Sequence, residues 1–243
     1  MGGRRMDFVR FSGQLFIYYT LIALGGGVFV AFTVFMFDAI GLDVEWFVQG
    51  WLLPCGAMGA VIVAAGLVEE QEGATANMAP ALTRLFTPLF AGVLLAFLVA
   101  MMWTSGSIDV EREVLMGFDL LLVLVLGLLL YAVSARDPKS PPNAFDVLQL
   151  SLVLAVLVVD LVALEAITAR ISDFGFSPNK VAALGENLVL LVNLSWSAWL
   201  YTRFLRRRGA FVALEFWQTR YLPVYSVWAG LVVVTFPPLF GYV

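Results

Sequence analysis

Four carboxylates and two carboxamides stand inside otherwise apolar runs of this chain: Asp119, Asp160, Glu165, Glu186, Asn187 and Asn193. An ionisable group at membrane depth is costly, and its default reading is functional: a proton relay or an ion path. Asp160 is the extreme case. It stands in "LVLAVLVVDLVAL", with no lysine or arginine at comparable depth to pair with it. A carboxyl group there must be hydrated, hydrogen-bonded or neutralised by a proton. Asn193, Ser195, a tyrosine or a backbone donor could serve it. Two readings stay open: a structural carboxyl bonded between helices, and a group that handles protons or cations.

Helical phase restricts which of these groups can meet. Glu186 and Asn193 are seven residues apart and share a helix face. Asp160 and Glu165 are five apart, about 140° around a helix, so they cannot address one partner. At about 1.5 Å per residue, Asp119 lies roughly 8 Å inside its span and Asp160 roughly 12 Å below the end of its own. Glu165 and Glu186 fall near the ends of theirs, and Asn193 near the middle. The candidate substrate- or ion-binding set is therefore Asp160, Asn193, Asp119, Glu165 and Glu186.

Missing residue types exclude much chemistry. The chain has no histidine, which removes bis-His haem, the common zinc-protease sites and a Ser-His pair. One cysteine, Cys55, cannot form an internal disulfide or hold an iron–sulfur cluster. Lys139 and Lys180, the only lysines, fall in loops, so no buried lysine is available for a retinal Schiff base. No phosphate-binding glycine loop and no H-E-x-x-H motif occur. No catalytic set, metal site or cofactor is expected, and enzyme activity is disfavoured.

These groups need elements to hold them. The 243 residues are 61% hydrophobic and 13% charged, with mean hydropathy +0.93. A soluble domain is nearer half apolar and a quarter charged. Seven apolar blocks approach or exceed the roughly 20 residues that span a bilayer: about 15–37, 46–68, 85–103, 114–133, 147–168, 182–204 and 222–242. They are too long and continuous for barrel strands, so the fold expected is all-α, a single transmembrane domain of seven helices over 1–243. The first block exceeds a signal-peptide core and is expected to be retained. Met6 stands where a myristoylation signal needs Ser or Thr.

Alternating the spans from an inside N-terminus puts Arg4, Arg5, Arg10, Arg84, Arg136, Lys139, Arg203, Arg206, Arg207, Arg208 and Arg220 on the cytoplasmic side, 11 of 14 basic residues. Positive residues set topology, so N-in/C-out is expected. The stretch "RRRGAFVALEFWQTR" spaces Phe211, Leu214 and Trp217 on one face among arginines, which suits a short amphipathic inner-leaflet segment. Arg206, Arg207, Arg208 and Trp217 would there contact anionic lipid, though ordinary stop-transfer charge explains the same pattern. Gly56, Ala60 and Ala64 recur every four residues, a stripe that lets another helix approach. Pro54, Pro237 and Pro238 remove backbone donors and should bend their spans. No internal repeat marks an inverted-repeat transporter.

Between the fifth and sixth blocks, Gly175 can end a helix, and Ser177 followed by Pro178 reads as N-cap and first helical residue. The same stretch, "RISDFGFSPNK", resembles the Arg-Ile-x-x-aromatic-Gly-x-Ser/Thr-x-x-Arg signature of the bacterial polytopic membrane family known as domain-of-unknown-function family 4153. "LPVYSVWAGLVVVTFPPLFGY" is similar to the ending of its members. The likeness covers spans four to seven and rests on Arg170, Ile171, Phe174, Gly175, Ser177 and Asn179. Lys180 replaces the usual arginine, which forfeits bidentate contacts. The resemblance implies a bacterial inner (plasma) membrane protein and no particular activity.

The functional expectation is a small transporter or channel with a polar site in the outer half, in contact with membrane lipids and not with nucleic acid. Its alternatives are a scaffold or accessory subunit, packing on a homo-oligomer or membrane-protein partner through Gly56 and Ala60, and a lipid-binding or lipid-modifying protein.

Overall fold

The computed structural model describes residues 2–69, 78–104 and 112–241. Seven helices emerge, each long and apolar enough to cross a membrane: α1 Gly2–Asp38, α2 Glu45–Glu69, α3 Met78–Thr104, α4 Arg112–Ala135, α5 Ala144–Phe174, α6 Pro178–Leu205 and α7 Val212–Phe240. No strand occurs among the described residues. This is the expected all-α fold, because helices satisfy their own backbone groups where no water can. Hydroxyls crossing the apolar zone do likewise: Thr20, Thr33, Ser151, Thr168, Thr202 and Thr235 each donate to the carbonyl four residues back.

Successive helices run up and down. Phe35, near the end of α1, packs where Gly117 leaves room near the start of α4. Arg136, after α4, stacks on Phe204 near the end of α6. One end of the bundle, the arginine-rich end, thus collects Arg84, Arg136, Lys139, Arg203, Arg206, Arg207, Arg208 and Arg220. The main core joins α3, α4, α5 and α6 with one face of α1, through residues such as Leu94, Leu122, Val125, Leu152, Val156 and Leu194. Two helices are peripheral. α2 packs on α1, with Ala60, Ala64 and Val68 against Tyr18 and Ile22. The small-residue stripe is therefore used partly within the chain, on α1. α7 packs mainly on α6 and leaves most of its surface exposed.

Helix ends differ from the sequence expectation in instructive ways. α2 contains a π-helical turn over Val48–Leu52, one residue before Pro54, where a missing backbone donor already perturbs the regular ladder. Residues 205–221 do not form a separate interfacial helix. α7 begins at Val212, so the amphipathic stretch is its first part, and Phe211 and Leu214 are buried against the protein. α6 ends in a Schellman motif: the Arg207 N–H donates to Phe204 O at 2.9 Å and the Arg208 N–H to Arg203 O at 2.8 Å. Arg207 takes the left-handed position, φ 55°, that glycine usually fills. At the other end, Gly175 has φ 73° and ψ −180°, a region open only to glycine rather than the left-handed helical cap expected. Ser177 is extended and Pro178 opens α6, but the Ser177 hydroxyl makes no capping bond. Lys180 ties the turn instead, donating from Nζ to Arg170 O (3.0 Å) and Gly175 O (2.9 Å) while lying over the Phe174 ring. A cation there complements the negative end of the α5 dipole.

Candidate functional site

Asp119 of α4 meets α6 in the half of the bundle away from the arginine-rich end, and Asp160 lies near the middle of α5. Asn187 is fully buried. Its Nδ2 donates to Asp119 Oδ1 at 2.8 Å and to Ala183 O at 2.9 Å. Asp119 lies within electrostatic range of both Asp160 and Glu186. Asp160 has 0% exposure, and neither of its carboxyl oxygens has a hydrogen-bond partner. Asn187 Oδ1 is likewise buried without one. Three carboxyl groups and one carboxamide thus share a region with three orphaned acceptor atoms. Buried polar atoms are nearly always paired, so each exception needs a reason such as a bound proton, ion or water.

The surroundings keep the region tight. Gly185 gives the Trp228 ring of α7 its seat, since a side chain at Gly185 would occupy the same space. Glu186, adjacent to that seat, is half-buried rather than simply solvated. Glu165 is exposed and lies off the cluster, as its phase relative to Asp160 requires. Among the described residues no group of three His, Cys, Asp or Glu side chains has the arrangement of a metal site.

Asn193 belongs to a different network, and no hydrogen bond joins it to Asp160. Its Nδ2 donates to Tyr225 Oη (2.6 Å) and Gln218 Oε1 (3.2 Å). Its Oδ1 accepts from Trp217 Nε1 (2.9 Å) and Ser197 Oγ (3.1 Å). Gln218 Nε2 returns a bond to Ser197 Oγ at 2.7 Å. Trp196, Trp217, Tyr221 and Tyr225 line this seam in tilted and edge-to-face contacts, with successive centroids 5.6, 5.0 and 5.5 Å apart. Trp217, expected on lipid with the arginines, is thus tied to α6 by its indole N–H. The pairing of Asp160 with Asn193 across an outward cavity is not found. Gln218, Tyr221 and Tyr225 escaped the sequence reading, although residues 218 and 225 share a face that a buried Asn193 would need.

A third polar centre sits at the arginine-rich end. Arg136 makes a forked ion pair with the buried Asp146, Nε to Oδ1 at 2.7 Å and Nη2 to Oδ2 at 2.8 Å. It also donates to the carbonyls of Asp137, Ser140 and Pro141 and lies 4.6 and 4.5 Å from the Phe204 and Phe211 ring centres. Asp146 closes a capping box with Asn143 at the start of α5. This centre fastens the ends of α4, α5, α6 and α7 together and leaves its carboxylate no free role. Arg206, Arg207 and Arg208 are exposed beyond it.

Two cavities lie apart from the carboxyl cluster and from the Asn193 network. One, about 500 Å³, is an apolar groove between α1, α2 and α3 that includes Gly56 and Ala60. The other, about 400 Å³, lies between α3, α4 and α5 at the arginine-rich end. Neither is lined by Asp160. Compared with known proteins, this integral-membrane-type chain of seven apolar helices matches no family model, no curated sequence and no solved structure.

Proposed function

We propose that the protein is a small proton-coupled membrane transporter, with Asp160, Asp119 and Asn187 as its proton site and Glu186 at the approach. The observation that carries this reading is Asp160: a carboxyl with both oxygens buried and unbonded, on a helix face with Val156 and Ala163, within electrostatic range of a second carboxyl. A merely structural carboxyl would be bonded between helices, because an unpaired one costs several kcal/mol. A group that takes up and releases a proton has reason to keep such a position. Asp160 has no solvent exposure, so exchange requires helix movement, as in alternating access. The asymmetry of the basic residues supports N-in/C-out insertion, and the Arg170–Lys180 turn supports the kinship with family 4153 and a bacterial inner membrane.

The test is proton flux in proteoliposomes carrying an internal pH-sensitive dye. Wild type is expected to dissipate an imposed pH gradient once the membrane potential is clamped, and Asp160→Asn to fall to the rate of protein-free vesicles. If wild type and variant both leave gradients of protons and common monovalent cations intact, the transport reading is abandoned.

A further inference from the structure

The cavity at the arginine-rich end has the composition of an anion site. Its volume of about 400 Å³ falls within the roughly 300–1,000 Å³ usual for small-molecule sites. Thr83, Arg84, Arg136 and Asn143 supply its polar wall, and Ala132 and Phe145 are among its apolar residues. The two arginines have different standing. Arg136 is neutralised by Asp146 and immobilised by carbonyls and rings. Arg84 makes no ion pair and no hydrogen bond among the described residues. It is an exposed, uncommitted guanidinium at the edge of a cavity whose other arginine is already balanced by Asp146.

A second set of donors points the same way. α5 starts on the cavity wall, with Asn143, Ala144 and Phe145 among the lining residues. Asn143 Oδ1 takes the N–H groups of Phe145 and Asp146. The Ala144 N–H keeps no acceptor among the described residues. The positive end of the helix dipole therefore faces the same space as Arg84. Position fixes the depth. Arg84 is six residues into α3, Ala132 three from the end of α4, and Phe145 at the start of α5. At about 1.5 Å per residue, these lie within roughly 9 Å of their helix ends. That is the level of lipid phosphates and glycerol rather than of acyl chains. An apolar floor beneath a cationic rim suits an amphiphile with a phosphate at its head, and basic pockets between helix ends hold such headgroups in other membrane proteins.

We infer that the α3/α4/α5 cavity binds a phosphate-bearing anion, with Arg84 as its principal ligand and the start of α5 as the second. A planar guanidinium can hold two phosphate oxygens at once, which a point charge cannot. This site is separate from the carboxyl cluster and does not depend on the transport reading.

The experiment is native mass spectrometry of the full chain in detergent. It is titrated separately with phosphatidylglycerol, with phosphatidylcholine and with inorganic phosphate, for wild type, Arg84→Gln, Arg84→Lys and Arg207→Gln. Wild type is expected to retain one phosphatidylglycerol in preference to phosphatidylcholine. Arg84→Gln should reduce that retention about tenfold, the effect of losing about 1.4 kcal/mol of charge-assisted bonding. Arg84→Lys should recover part of it, and Arg207→Gln, in the exposed cluster, should leave it unchanged. Melting of Arg84→Gln should equal that of wild type, because Arg84 makes no contact that folding requires. Arg84-dependent retention of inorganic phosphate without phosphatidylglycerol would still support the site and assign its ligand to solution. Equal retention by wild type and Arg84→Gln, or equal losses in Arg84→Gln and Arg207→Gln, would overturn the inference, since binding would then follow diffuse surface charge.

Discussion

Asn187 and Asn193 both lie buried on α6, six residues and about 240° apart, and their fates are opposite. Asn193 faces α7, and both ends of its amide are bonded, to Gln218, Tyr225, Trp217 and Ser197. Asn187 bonds Asp119 through its nitrogen, but its oxygen is orphaned, as are both oxygens of Asp160. A closed network holds two helices in register and has no capacity left. An open one keeps acceptors in waiting at a cost, and so needs a purpose beyond cohesion. The same helix thus carries a rivet on one face and a site on another.

The Arg136–Asp146 pair calibrates this contrast, being charged yet fully satisfied. Arg136→Met would strand a carboxylate that is 1% exposed and remove two ring contacts. Breaking one partner of a buried pair costs about 3–5 kcal/mol, so the loss should exceed that from opening either asparagine network. It is measured as reversible unfolding in mixed micelles with increasing SDS, followed by circular dichroism. A loss under about 1 kcal/mol would mean that water reaches Asp146, and that satisfied centres in this bundle are weaker than the contrast with Asp160 assumes.

Asn193→Leu tests the rivet. It removes the donor to Gln218 and Tyr225 and the main acceptor of Trp217, while Ser197 and Trp217 retain the backbone oxygen of residue 193. A loss of about 2–4 kcal/mol is expected from the stranded groups. Tryptophan fluorescence should shift as Trp217 is released, and proton flux per folded molecule should stay within about twofold of wild type, a change worth less than about 0.5 kcal/mol. Abolished flux with intact folding would make the α6/α7 seam part of the working site and erase the distinction.

The distinction was only half legible in the chain. Spans were readable because continuous apolar length is a local property, and Asp160 was readable because one charge among Leu and Val needs no partner to be conspicuous. The start of α7 was misplaced because its first turns mix Glu215, Gln218 and Arg220 with apolar residues, and only packing on α6 shows which face turns inward. Pairings were hidden for the same reason. Asp119 meets Asn187 and Asn193 meets Gln218 across sequence separations that no periodicity encodes. Glu186 looked interfacial by depth, yet its position beside Asn187 brings it within range of Asp119. Some signals were present and unread. Asn143-x-x-Asp146 has the spacing of a capping box immediately before the fifth apolar block.

The smallest effect expected has the opposite sign and separates the two regions most sharply. Asp160→Leu places an apolar side chain of greater volume where a carboxyl now lies unbonded on a helix face with Val156 and Ala163. Removing the unpaired group gains more than crowding by the larger side chain costs, so unfolding in SDS micelles should require about 1 kcal/mol more than for wild type. Flux should be lost in the same molecule. Stability gained with activity lost is the signature of a position kept for function at the expense of the fold. A loss of about 2 kcal/mol or more for Asp160→Leu, with Asp160→Asn matching wild type in stability and flux, would instead place Asp160 among the hydrogen-bonded structural groups, and α6 would carry two rivets and no site.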